Sequence, residues 1–254
     1  MKKNKYLFWL LLIISVAIIT ILISFNKASN ENRHFIPEYI FDPAADMDDI
    51  IIFENRVYNY TRGYQVDNDG IKEFLGDYIG RVTPTIDEYT KTDNMEIYFG
   101  ATIFGQIYQV NGYADNFRIC DYDTANKTIN FYENLTGFSL ESGSDIFTDR
   151  LHFDSQFTWD AKDIYCYSAQ SSDDPSNIPG LTGDDILALY DSLNNSYHIL
   201  YTDISQNLER ICTLVLHMSD MTIVEIDCYS DNYIAYESVY FKMDDPIYDK
   251  ITGK

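Results

Sequence analysis

The sequence predicts an α+β protein in which an N-terminal transmembrane helix precedes two modules read as duplicated, each a helix plus an antiparallel β-meander. Three observations predict this class. A long uncharged apolar run stands at the N-terminus, and stretches of helical periodicity are each followed by strand-like alternation. In addition, "IYQVNGYADNFRIC" (107–120) is echoed by "IVEIDCYSDNYIAY" (223–236).

Lys2, Lys3 and Lys5 precede "YLFWLLLIISVAIITILIS", Tyr6 to Ser24. That run is close to the roughly 20 residues a bilayer core requires. The positive-inside rule makes residues 1–5 a cytoplasmic tip, 6–24 a single-pass anchor in the cell membrane, and the remainder extracytoplasmic. A cleaved signal peptide would end in a small-x-small site, whereas the junction here is Phe25-Asn26-Lys27-Ala28, so an uncleaved anchor is favoured. The first cysteine is Cys120, which excludes a lipid attached to cysteine just after the run. Residues 25–46 lack periodicity, contain two prolines and read as a tether.

Against 18 Lys plus Arg stand 40 Asp plus Glu, a formal net charge of -22. Such a field repels nucleic acid and anionic polymers and leaves cations or basic partners as attracted classes. With 22 Tyr and 15 Phe the chain is too aromatic for a disordered acidic tail, so the exported part folds.

Module 1 covers 47–158. "DIIIFENRVYNY" reads as two strands turning at Glu54-Asn55. Ile71, Phe74, Leu75 and Tyr78 recur at helical spacing and predict a helix, after which a strand-rich meander runs to about Gly137. Ser144 is expected to cap a short helix. Module 2 covers 159–254 and begins with the strand "DIYCYSA". "QSSDDPSNIPGLTG" (170–183) reads as a loop. Ile186, Leu189, Tyr190 and Leu193 then predict a helix with two aspartates in its first turn, where they complement the dipole. Strands follow, and Pro246 opens a last short helix.

The clearest register lies in "RICTLVLHMSDMTIVEIDCYS". Leu216 opposite Val224 and Leu214 opposite Ile226 match apolar faces across a three-residue loop, whereas a one-residue shift sets leucines against Glu225 and Asp227. Cys212 then falls opposite Cys228, either as a disulfide or as a buried pair of small apolar residues. Carried back along the echo, the loop position of Met221 becomes Gly105, where a left-handed residue suits such a loop. "FYENLTG" and "IYDKITG" continue the match without a gap. The competing reading is two ordinary meanders in a chain rich in Ile, Tyr, Asp and Asn.

The echo repeats Tyr113, Asp115 and Asn116 as Tyr229, Asp231 and Asn232. These six are the candidate ligand-binding residues, although Asp-Asn between strands more often serves a turn. "DNDG" (67–70) and "DYDTANKTINFYE" (121–133) resemble calcium loops but lack closing ligands, leaving weak surface Ca²⁺ binding and no other cofactor expected. No nucleophile elbow, zinc motif or phosphate loop occurs, so no catalytic or metal residue is assigned.

The stretches "VNGYADNFRICDYD", "FYENLTGFSLESGSDIFTDRL" and "VYFKMDDPIYDKI" resemble pieces of uncharacterised membrane-anchored or lipoprotein-like cell-envelope proteins of clostridia-type Gram-positive bacteria. The resemblance implies a bacterial surface setting and no known activity. The expected function is a membrane-anchored extracytoplasmic protein that binds or senses an unknown protein or envelope ligand. The alternative is an envelope hydrolase using a carboxylate pair.

Overall fold

The computed structural model describes residues 34–36, 49–65, 75–85, 99–157, 160–168, 171–178, 180–204, 208–220, 222–243 and 246–253. Strand β1 (His34–Ile36) lies in the stretch expected to be a bare tether. The first large sheet contains β2 (Ile50–Phe53), β3 (Arg56–Gln65), β4 (Leu75–Val82), β5 (Phe99–Ala101), β6 (Gly105–Val110), β7 (Arg118–Asp123) and β8 (Thr128–Glu133). β9 (Phe138–Leu140) pairs with β1. The second large sheet contains β10 (Ile164–Ser168), β11 (Ser171–Asn177), β12 (Tyr197–Ile199), β13 (Arg210–His217), β14 (Ile223–Tyr229), β15 (Tyr233–Tyr236) and β16 (Val239–Lys242).

Local chemistry accounts for several of these elements. Glu54 and Asn55 both adopt left-handed φ, 51° and 61°, which gives the β2–β3 hairpin a twist compatible with its strands. The β13–β14 hairpin has the register expected from alternation, with Leu214 facing Ile226, Leu216 facing Val224 and Cys212 facing Cys228. Helices α1 (Ser144–Phe147), α2 (Phe153–Gln156), α3 (Gly183–Asn195) and α4 (Pro246–Thr252) complete the described helices. α3 starts in a capping box, in which Thr182 and Asp185 satisfy each other's backbone N–H. Ser144 does not cap α1: it is the first helical residue, the cap is Gly143, and no side chain bonds there.

The first sheet runs β4-β6-β7-β8-β3-β2-β5 and curls until its edges approach. Beyond β4, Pro84 bridges to Ala101 on β5, and Thr85 N–H donates to the Ala101 carbonyl at 3.0 Å. Ile51, Tyr58, Val82, Ile107, Ile119 and Tyr132 pack inside the curl. The second sheet runs β11-β10-β13-β14-β15-β16-β12. Its inner face meets α3 and α4 and shares one apolar core with the other sheet, since Cys120, Ile129 and Phe131 join Leu214, Leu216 and Ile226 in a single cluster.

The expected fold class is corrected by this architecture. The described chain is mostly β, built on two seven-stranded antiparallel sheets with four short helices, and is not a pair of helix-plus-meander modules. The helix expected over Ile71 to Tyr78 is, from Leu75 onward, strand β4, and the earlier part lies outside the described residues. Gly76 and Gly80 weaken that helix, and at Gly80 a Cβ would stand 2.8 Å from Phe99 Cε1, a close approach that suits β pairing. The expected loop at 170–183 contains β11, whose Pro175 is tolerated because β11 is an edge strand. Among the described residues no helix is long and apolar enough to cross a membrane, so the membrane and transmembrane expectation gains no support there; the run 6–24 lies outside them.

Both sheets contain five consecutive partners in one order, β4-β6-β7-β8-β3 and β13-β14-β15-β16-β12. The ungapped echo follows it where β6 falls on β14 and β7 on β15, and departs from it beyond. Phe131 to Glu133 belong to strand β8, whereas their counterparts Ile247 to Asp249 belong to helix α4. Met221 lies outside the described residues, and Gly105 has no left-handed backbone.

Candidate functional site

At one mouth of the curled sheet the strand ends surround a cavity of about 480 Å³, bordered by Asp49, Arg81, Phe104, Asp121, Asn130 and Tyr132. Cross-strand register assembles it. Val82 faces Gly105, Arg81 faces Gln106, and Asp121 faces Asn130. The Asp121 carboxylate accepts the Gln106 N–H at 3.0 Å and the Asn130 side-chain amide at 3.4 Å. It lies so close over Gly105 that a Cβ there would be 2.1 Å from Oδ1. Glycine at 105 therefore makes room for this carboxylate, which is a different reason from the loop geometry expected of it.

Burial lifts the Asp121 carboxyl above its ordinary range, partly opposed by the bonds from Asn130 and Gln106. Burial, then the carboxylates of Asp121 and Asp49, push the Tyr132 hydroxyl far up. Tyr132 thus stays neutral and able to donate. Phe104 projects at the rim with 73% of its surface exposed, beside the guanidinium-bearing Arg81. The mouth therefore offers acceptors, donors and one bare aromatic face around a single volume, the kind of place where β-barrels hold ligands.

Asp123, two residues from Asp121, is committed elsewhere. Its carboxylate accepts from Ala125 N at 2.8 Å and from Asn126 N and Nδ2 at 3.2 and 2.7 Å, which holds its carboxyl below the usual range. "DYDTANK" is accordingly an Asx-type turn. Among the described residues no group of three or more His, Cys, Asp and Glu is arranged to hold a metal ion.

The six residues singled out by the echo have different surroundings. Tyr113 is buried at the junction of the sheets, where its hydroxyl donates to Asp220 Oδ2 at 2.6 Å and lies 3.0 Å from Thr222 Oγ1. Its ring lies 4.0 Å below the Arg118 guanidinium. Asp115 and Asn116 are exposed, and Asn116 has a φ of 60°. Tyr229 is half-buried, with its ring 5.9 Å from Tyr240. Asp231 and Asn232 both have left-handed φ, 58° and 62°, and the Asn232 carbonyl accepts from Met243 N. Cys212 and Cys228 are buried opposite each other without a disulfide.

The junction itself carries a second polar constellation. Arg118 gives Nε and Nη2 to Glu133 Oε1, and Arg62 from β3 reaches Glu225 on β14 at 2.5 Å. Tyr64 Oη accepts the Ile223 N–H at 2.8 Å. The bonds from Arg62 and Tyr64 pin one sheet onto the other around only about 30 Å³ of free space, little more than one water's share. The junction is thus a joint, and the mouth is the larger opening.

Sequence reasoning missed the mouth. Its residues are spread from Asp49 to Tyr132 and meet only through strand order. One signal was present, an aspartate at the end of the apolar run in "FRICDYD" facing the asparagine of "TINFYE". Comparison with known proteins finds no matching family model, no matching curated protein and no matching solved structure.

Proposed function

We propose that this chain is a non-enzymatic extracytoplasmic binding protein whose first sheet captures a neutral, hydroxyl-rich ligand, a segment of envelope glycan, at its mouth. The observation that supports this reading is the exposed Phe104 ring standing over a cavity bordered by Asp121, Asn130, Tyr132 and Arg81. A sugar ring offers hydroxyls to the carboxylate and amide and an apolar face to an aromatic ring. The net charge of -22 argues against phosphate-rich or other anionic polymers as the ligand. The lysine tip and apolar run before residue 25 support export, and the likeness to clostridia-type envelope proteins suits a bacterial surface.

The hydrolase alternative would pair Asp121 with a second carboxylate. The adjacent Asp123 is occupied by its turn, which leaves Asp49, on the border of the same cavity, as the second carboxylate of that alternative. The test is binding of the purified chain to soluble neutral oligosaccharides released from a bacterial envelope, with release of new reducing ends measured in parallel. Saturable binding without new ends supports the binding protein. New reducing ends that disappear in Asp121→Asn support the hydrolase, and neither result sinks both.

A further inference from the structure

On the inner face of the second sheet, Cys166, Cys212 and Cys228 stand on three neighbouring strands, β10, β13 and β14. Cys212 is directly opposite Cys228, and it is the diagonal neighbour of Cys166, whose own partners are Leu214 and Ser176. The Cys166 and Cys228 thiols donate to the carbonyls of Tyr167 and Ile226 at 3.9 and 3.8 Å, and the register sets a cysteine on either side of Cys212. Cys212 thus has a sulfur on each side. Cys166 is part-exposed, whereas Cys212 and Cys228 are 3% and 1% exposed. Cys120 lies apart, on β7 of the other sheet.

We propose that this row is a disulfide relay, which takes up an oxidising equivalent from a small-molecule disulfide at Cys166 and passes it inward to a Cys212–Cys228 bond. First the Cys166 thiolate attacks the small disulfide, forms a mixed disulfide and releases one thiolate. The Cys212 thiolate then attacks the Cys166 sulfur, expels the second small thiolate and forms Cys166–Cys212. Finally the Cys228 thiolate attacks the Cys212 sulfur and expels the Cys166 thiolate, which takes up a proton. Two protein thiols lose two electrons and two protons in all, and one small disulfide becomes two thiols.

Three features carry the direction. Only the outer thiol offers surface to a reagent. The central sulfur has one neighbour to form a bond with and another to replace it, which is the arrangement that exchange needs. Directly opposite strand residues also hold their Cβ atoms closer to disulfide spacing than diagonal ones do, so the inner bond is the more stable product. The neighbouring Cys212 thiol, and then burial, push the Cys166 thiol up. At Cys212 the Cys166 thiol pulls down, but the Cys228 thiol and burial outweigh it. The relay is accordingly slow at neutral pH and accelerates as pH rises.

The reduced full chain is incubated with oxidised glutathione at pH 8, quenched in acid at intervals and mapped by mass spectrometry. The relay predicts a transient Cys166 adduct and Cys166–Cys212 bond, then Cys212–Cys228 with the Cys166 thiol regained. Cys228→Ser stops at Cys166–Cys212, and Cys166→Ser slows the inner bond at least tenfold. A glutathione adduct on Cys166 as the end product, or an inner bond formed as fast in Cys166→Ser, overturns it. Circular dichroism checks that the variants fold, and if one does not, the order of species in the wild-type time course decides.

Discussion

The Tyr236 hydroxyl, on the second sheet, donates to Glu133 Oε2, on the first, at 2.5 Å. The other oxygen of that carboxylate holds the buried Arg118 guanidinium, so one side chain joins an ion pair within a sheet to a bond between sheets. Glu133→Ala leaves Arg118 as an uncompensated buried charge and is expected to destabilise the chain by about 3–5 kcal/mol. Tyr236→Phe removes only the hydrogen bond to the charged group and should cost about 1.5–3 kcal/mol. Urea unfolding of both single variants and the double variant measures this. Costs that simply add would show that the two contacts act independently.

Gly105 and Asp121 form a steric pair. With 2.1 Å between a new Cβ and Asp121 Oδ1, Gly105→Ala must displace the carboxylate, at about 1–3 kcal/mol of overpacking. Adding Asp121→Ala removes the obstacle and should recover most of that loss, read as the urea midpoint. A double variant no more stable than Gly105→Ala alone would contradict the contact.

The register of β13 and β14 was legible because buried apolar residues alternate with polar ones along β14, and only one pairing keeps Asp227 and Glu225 off the core. The hairpin at Glu54-Asn55 and helix α3 were legible for equally local reasons, turn residues in one case and a capped amphipathic stretch in the other. β4 was not. Its Leu75 and Tyr78 sit at helical spacing, and pairing with β6 overrides that pattern. The mouth was illegible for the same kind of reason, since strand order and curl bring Asp49, Arg81 and Asp121 together. Arg118 and Glu133, oppositely charged residues that end up buried and paired directly across β7 and β8, were the overlooked signal of the joint.

Glu237 makes stability depend on pH in a defined window. Burial, then the carboxylates of Glu133, Glu225 and Asp227, lift its carboxyl to about 7. The folded chain therefore holds more protons than the unfolded chain between the ordinary glutamate range and that value, so this contribution to stability is lost as pH rises through about 7. Glu237 borders the joint but much of the residue is exposed in its turn, so solvent screening shrinks the effect and its direction is the test. Urea midpoints at pH 5 and pH 8 should show a smaller fall for Glu237→Gln than for the wild type. An equal or larger fall in the variant would assign the effect to other groups.

Thr182 closes the first turn of α3, accepting from Asp185 N while Asp185 accepts from Thr182 N and Lys250. Thr182→Ala should cost about 1 kcal/mol in thermal or urea unfolding. Thr182→Ser, which keeps the oxygen, should cost little.

Affinity for soluble neutral envelope oligosaccharides, measured by calorimetry on the wild type and on Phe104→Ala and Asp121→Asn, tests the glycan-capturing mouth most directly. The expected result is binding by the wild type and at least a tenfold loss in each variant, about 1.4 kcal/mol, with urea midpoints of the variants near the wild type. Wild-type affinity in both variants, or no saturable binding by the wild type, would contradict it.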